Sequence, residues 1–148
     1  MNNKEVITKI VSIIENAVRI KPVIKQAGES VYKIVISQWC SFVVCVNKEH
    51  EAFLDEELVD LIHCKFTQCF DIWLKEVFLT DCQKWTNNNF KDVKIRGIHD
   101  FGETILITAK TNGHHSVTYP KMKKEDVLHV FLDETSIQDF FAEKKYFS

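Results

Sequence analysis

The longest periodic stretch of the chain, from Asp55 to about Trp85, places the strongest constraint on the fold. Apolar side chains recur in it at spacings of three and four residues, which is typical of a helix that buries one face. A run of about thirty residues is long for a globular helix, so we expect a break near 79–81. The apolar members of this stripe are Leu58, Leu61, Ile62, Phe66, Cys69, Phe70, Trp73, Leu74, Val77 and Phe78.

Two further segments predict helices at the ends of the chain. The first runs from Lys4 to about Lys21, where Pro22 disfavours helical geometry in the residue before it. The last begins at Asp133 or Ser136 and has three apolar residues for its buried face: Ile137, Phe140 and Phe141.

Segments rich in β-branched residues predict the strands. Residues 31–37 and 42–47 indicate two neighbouring strands. Residues 93–120 indicate a three-stranded meander, with one turn at 100–103 and a second at Asn112–Gly113, which is a strong hairpin signal.

Runs of strands with helices between them are typical of an α+β fold. We therefore expect a mostly antiparallel sheet, made of the two-strand segment and the meander, packed against the N-terminal, central and C-terminal helices. The apolar segment 127–132 fits either a strand or a helical turn. The 148 residues are near the usual size of one domain, so we expect a single α+β domain over residues 1–148.

Composition excludes some classes of function and indicates a compartment. With only four glycines and two prolines, the chain lacks the residues of a glycine-rich phosphate loop. The five cysteines are odd in number and no secretion signal is present, which favours a cytoplasmic protein with reduced, mostly buried thiols. The longest uncharged run, 34–47, is too short to span a bilayer, so we expect no membrane association.

The spacing of the cysteines argues against a metal centre. Cys40 and Cys45 are separated by the longest interval usual in zinc pairs, but they point to opposite faces of a strand. Cys64 and Cys69 show the same interval, and on a helix they point about 140° apart. His63 adjoins Cys64, and helix neighbours diverge. We expect no catalytic residue, no metal and no cofactor.

Local charge is the most informative functional signal. Six acids and no Lys or Arg occur between residues 49 and 60, which predicts an edge that steers and holds a basic partner protein. An exposed aromatic residue, Trp39 or Trp85, is the expected anchor of such an interface. The predicted partner-binding residues are Glu49, Glu51, Asp55, Glu56, Glu57 and Asp60.

Two alternatives to a protein-binding module stay open. In the first, a basic face of the meander binds nucleic acid phosphates through Lys94, Arg96, Lys110, His114 and His115. In the second, the chain is a small enzyme that uses a Cys or His in a cleft. We favour a protein partner over nucleic acid because the acids cluster more tightly than the bases.

The chain resembles bacterial immunity proteins, such as those of contact-dependent growth inhibition systems, which bind and neutralise a cognate toxin domain. The resemblance rests on size, scarce Gly and Pro, the lack of motifs, the acidic stretch, and the C-terminal run 132–141. It implies a non-catalytic cytoplasmic antitoxin that covers the active site of a toxin domain. Many such toxins are basic nucleases, whose phosphate-binding groove would accept an acidic edge.

Overall fold

A computed structural model describes the chain over residues 3–46, 55–89, 92–111, 116–118 and 121–144. The chain falls into two compact units, residues 1–70 and residues 71–148. The first unit contains a three-stranded antiparallel sheet and the second contains a four-stranded one. The α+β class predicted from the sequence is thereby confirmed, and the single domain stays a prediction.

Helix α1 (Asn3–Val18) opens the first unit. It buries Val6, Ile10 and Ile14, which recur every four residues on one face. The predicted end at Lys21 was wrong by three residues, because the helix stops before the proline is reached. Arg19 has a positive φ of 59° and donates its N–H to the Glu15 carbonyl, which is a left-handed C-terminal cap.

The sheet of the first unit is a meander of β1 (Val23–Gln26), β2 (Val31–Val35) and β3 (Ser41–Cys45). The two predicted strands are present, but the expected two-strand segment was wrong in number. Strand β1 pairs with β2 in register Val23↔Val35 and is mostly exposed, so its sequence has no apolar alternation to reveal it. The buried face of this sheet consists of Ile34, Phe42 and Val44.

The predicted long helix consists of three successive pieces: α2 (Asp55–Trp73), a π-helical turn (Leu74–Phe78) and α3 (Leu79–Asn89). The break expected at 79–81 was wrong, because helical structure continues there. The irregularity is the π-helical turn, which lies just before the expected break and holds one more residue than an α-helical turn. The boundary between the two units falls within α2, after Phe70.

The sheet of the second unit confirms the predicted meander. Strands β4 (Val93–Asp100), β5 (Thr104–Thr111) and β6 (Ser116–Thr118) pair antiparallel in chain order, and the short β7 (Met122–Lys123), which the sequence did not reveal, pairs with β5. The first turn lies at 100–103, where Gly102 has a φ of 90° and donates its N–H to the Asp100 side chain at 2.8 Å. The Asn112–Gly113 turn lies outside the described residues.

Two short helices, α4 (Lys124–Phe131) and α5 (Ile137–Lys144), end the described part of the second unit. The sequence left residues 127–132 as either a strand or a helical turn, and the structure shows a helix that ends at Phe131. The predicted start at Ser136 is also confirmed, because its Oγ accepts the Asp139 N–H at 3.1 Å. An aromatic cluster fills the core of this unit, with contacts among Trp73, Phe78, Phe131, Phe140 and Phe141.

Candidate functional site

The first two turns of α2 present acidic side chains to solvent in the first unit. Leu58 and Ile62 are buried there, and they fix which side of the helix faces outward. At about 100° per residue, the exposed residues of these turns fall within an arc of about 160° opposite Leu58. We call this surface the acidic face; it consists of Glu56, Glu57, Val59 and Asp60.

The acidic face combines uniform charge with one exposed apolar residue at its edge. Its three carboxylates are exposed, and no Lys or Arg occurs between residues 55 and 64. Val59 is 45 % exposed and lies at one end of the arc, next to Glu56 three positions before it, whereas Glu57 lies at the other end. Sequence reasoning missed Val59, although its position outside the apolar stripe of α2 was a usable signal.

The remaining predicted acids are placed less completely. Asp55 begins α2, and its side chain is outside what the structure describes. Glu49 and Glu51 lie outside the described residues. The structure therefore brings Glu56, Glu57 and Asp60 together on one helix face and leaves the other three untested.

The two tryptophans proposed as interface anchors differ in their surroundings. Trp39 lies in the turn between β2 and β3 and is 40 % exposed. Trp85 stacks on Phe141 with ring centroids 4.9 Å apart, inside the second unit. The suggestion of Trp85 as an exposed anchor was therefore wrong. Trp39 stays the predicted anchor of the interface.

A second charged surface lies on the meander of the second unit. Lys94 and Lys110 are direct cross-strand partners, and Lys94 and Arg96 are exposed. Ile95, between them, is buried, and the pairing with β5 shifts between Ile95 and Gly97, so Arg96 is an exposed bulge residue beside the Lys94↔Lys110 pair. We call Lys94, Arg96 and Lys110 the basic strand surface; His114 and His115 lie outside the described residues.

The cysteines are less uniformly buried than the sequence suggested. Cys40 and Cys82 are buried and Cys69 is partly buried, whereas Cys45 and Cys64 are exposed. Cys45 and Cys64 also have apolar residues close by in the sequence, so the sequence alone does not distinguish these two exposed thiols from the buried ones. Among the residues that the structure describes, no three His, Cys, Asp or Glu side chains are grouped so as to hold a metal ion.

Burial changes the acidity of two thiols. Burial, followed by the charge and hydrogen bond of Cys69, raises the pKa of Cys40 to about 12. Burial, with the charge of Asp81 as a second cause, raises the pKa of Cys82 well above its ordinary value. Both thiols therefore stay protonated at neutral pH and are poor nucleophiles by themselves.

Helices within the described ranges are either too short or too polar to cross a membrane. Comparison of the chain with protein-family models, with curated proteins and with solved structures finds no match.

Proposed function

We propose that this chain is a non-catalytic protein-binding module that neutralises a bacterial toxin domain in the cytoplasm by covering its active site. The acidic face of α2 is the contact surface in this proposal. The observation that carries it is the grouping of three exposed carboxylates, Glu56, Glu57 and Asp60, on one helix face that exposed Val59 borders.

The charge of the acidic face favours a basic partner. Three like charges within two helical turns produce a local negative potential that accelerates encounter with a positive surface. This effect reaches about 8 Å at physiological ionic strength, so it acts during the last step of approach. A nuclease toxin fits this requirement, because its substrate-binding groove must attract phosphate.

The apolar part of the acidic face contributes binding affinity that exposed charges alone do not provide. Exposed ion pairs contribute little to affinity, whereas burial of apolar surface contributes about 25 cal/mol per Å². Val59 offers such surface at one edge of the face, next to Glu56. Protein interfaces combine apolar contacts of this kind with charged ones.

A rigid blocker needs no reactive group. A module of this kind inhibits by occupying the groove that the toxin's substrate would enter, and the rigid helix holds the carboxylates at fixed spacing. Its affinity then depends on complementarity of shape and charge. This fits a chain whose buried thiols, Cys40 and Cys82, are held protonated.

Co-expression tests the proposal. The chain is expressed together with the product of the reading frame immediately upstream of it in the source genome, where the proposal expects a toxin domain, and growth of the host is measured. We expect wild type to restore growth and the triple variant Glu56→Lys/Glu57→Lys/Asp60→Lys to lose most of that protection. Glu125→Lys is the matched control, because Glu125 is also an exposed acid in the first turn of a helix.

Two results would contradict the proposal. The first is continued growth arrest when wild type is co-expressed, which removes the neutralising function. The second is full protection by a triple variant, which removes the acidic face from the interface. Thermal melting of the triple variant accompanies the assay, since acids near a helix N-terminus also stabilise the helix by about 0.3–1 kcal/mol each.

A second candidate function rests on the basic strand surface. Like charges directly opposite each other destabilise a sheet, so the Lys94↔Lys110 pair favours an anionic ligand such as nucleic acid. Its signature is affinity for single- or double-stranded DNA or RNA that falls steeply with salt and weakens in Lys94→Gln/Arg96→Gln. Failure to retain either nucleic acid at low salt would remove this candidate.

A further inference from the structure

Two thiols that are distant in sequence meet within the first unit. Cys40 directly precedes β3 and is fully buried, whereas Cys69 lies on α2 and is partly buried. The Cys69 side chain is close enough to Cys40 to contribute to the raised pKa of that thiol. Cys69 Sγ also lies 3.3 Å from the Ser41 carbonyl oxygen, 28 residues away in sequence. The cysteine pairs considered from sequence spacing did not include this one.

We propose that Cys40 and Cys69 form a modification site at which a hydroperoxide converts the two thiols into an intramolecular disulfide. Cys69 Sγ lies against the backbone of the residue that follows Cys40, and the Cys69 side chain acts on the Cys40 thiol, so the two sulfurs are neighbours that can close to the disulfide length of about 2.05 Å. The bond would join Cys40, which directly precedes β3, to α2. The start of β3 and α2 already lie together in the reduced chain. The proposal is independent of the toxin-neutralising function.

The chemistry proceeds in two balanced steps. The Cys69 sulfur attacks the terminal oxygen of the hydroperoxide and the O–O bond breaks, so that Cys69 becomes a sulfenic acid. The other peroxide oxygen takes the thiol proton and leaves as an alcohol or water. The Cys40 sulfur then attacks the Cys69 sulfur, its proton leaves with the hydroxyl group as water, and the S–S bond forms. In sum, two thiols and one hydroperoxide give one disulfide, one alcohol or water, and one further water.

The surroundings of the two thiols assign these roles. Cys69 is the more exposed of the pair, so it meets the oxidant first. Cys40 is fully buried, so a hydroperoxide does not reach it directly. A sulfenic acid formed on Cys69 lies beside the Cys40 thiol, whose proton transfers to the departing hydroxyl group as the S–S bond forms. The exposed thiols Cys45 and Cys64 provide the comparison within the same unit.

Oxidation links two ends of the segment that carries the acidic face. The new bond closes a loop of about 30 residues, which restricts the unfolded chain more than the folded one. We therefore expect the oxidised protein to melt several degrees higher than the reduced protein. Reduction with dithiothreitol should return the melting temperature to its starting value.

The experiment treats the native full chain with a small excess of hydrogen peroxide, then alkylates free thiols and maps tryptic peptides without reduction. A Cys45→Ser background makes the result unambiguous, because Cys40 and Cys45 share the tryptic peptide 34–48. We expect peptide 34–48 to be linked to peptide 66–75, which holds Cys69. The yield should fall severalfold in urea, and Cys64→Ser should leave the link unchanged.

The contradicting results are equally specific. Recovery of Cys40 as fully alkylated thiol, under conditions that have oxidised Cys64, would overturn the proposal. So would a Cys69 that ends as a sulfinic acid or in a link to any cysteine other than Cys40. Cys69→Ser should lose the link and leave Cys40 reduced; a persisting disulfide at Cys40 in that variant would also refute the assignment.

Discussion

At the scale of single residues, the buried thiol of Cys40 makes the stability of the chain depend on alkaline pH. Burial and the neighbouring Cys69 raise its pKa from 9.0 to about 12. The unfolded chain therefore loses this proton near pH 9, while the folded chain keeps it. Because folding then holds a proton that the unfolded state releases, the free energy of unfolding falls between about pH 9 and pH 12.

The expected result is a smaller alkaline loss of stability in Cys40→Ala than in wild type. Urea unfolding at several pH values within this window measures it, with reducing agent present throughout. Cys45→Ala, which removes an exposed thiol from the adjoining strand, should retain the wild-type pH dependence. Identical pH slopes for wild type and Cys40→Ala would show that the thiol ionises as freely in the fold as in water.

Gln83 stabilises the outer edge of β4 in the second unit. Its Oε1 accepts the Ile95 N–H at 2.7 Å, and its Nε2 donates to the Val93 carbonyl at 3.5 Å. The side-chain amide thus pairs with the strand in the way that a neighbouring strand would. Gln83→Leu leaves the Ile95 N–H without this acceptor and should cost about 1–3 kcal/mol in urea unfolding.

A matched variant separates the hydrogen bond from packing at this position. Gln83→Glu keeps an acceptor for Ile95 and should lose clearly less stability than Gln83→Leu. Equal losses in the two variants would mean that the Ile95 bond contributes nothing measurable and that side-chain packing dominates.

At the scale of secondary-structure elements, the spacing of apolar and turn residues predicted the elements that depend on local sequence. The remaining elements depend on pairing between separate strands. Helix α2 and the β4–β5 turn follow from apolar spacing and turn residues that lie within a few positions of each other. Strands β1 and β7 do not, since β1 is defined by pairing with β2 and β7 by pairing with β5. Four or fewer residues carry too little pattern to indicate a strand.

The candidate site shows the same division. The exposure of Glu56, Glu57 and Asp60 was predictable because these positions fall outside the apolar stripe of α2. The contact between Cys40 and Cys69 was not, because it depends on how α2 packs beside β3 in three dimensions. Sequence spacing compared each of these cysteines only with its neighbour in the chain.

The N-terminal cap of α5 gives a direct test at the element scale. Ser136 Oγ accepts the Asp139 N–H, so Ser136→Ala should destabilise the second unit by about 1 kcal/mol. Ser136→Asp retains an acceptor at the same place and should keep most of the stability in thermal or urea unfolding. If Ser136→Ala unfolds at the wild-type midpoint, the cap contributes nothing in solution.

The π-helical turn between α2 and α3 predicts an unusual tolerance of deletion. Because the turn holds one extra residue, removal of exposed Lys75 should regularise it and leave α3 on its present face. Deletion of Thr80 instead rotates the rest of α3 by about 100° and should cost about 3 kcal/mol or more, since Cys82 and Thr86 leave the core.

Urea unfolding of the two deletion variants measures this difference. Circular dichroism of each variant in the absence of urea verifies that helical structure is retained. Equal destabilisation by the two deletions would contradict a π-helical turn at 74–78.

At the scale of the whole molecule, the proposed function depends on surface charge. The net charge of −2 conceals an acidic face in the first unit and a basic strand surface in the second. Each surface favours a different class of partner, and the acidic face is bordered by an exposed apolar residue, Val59. This combination is the reason for preferring a basic protein partner over nucleic acid.

The most direct test of this claim is the affinity of the purified chain for the toxin domain that the proposal expects to be encoded immediately upstream, measured by calorimetry at low and physiological salt. We expect Glu56→Lys/Glu57→Lys/Asp60→Lys to weaken binding at least tenfold, while Glu125→Lys binds like wild type. We also expect the loss of affinity to shrink as salt rises, because the face acts through screened charge. Wild-type affinity in the triple variant would contradict the assignment of the acidic face as the contact surface.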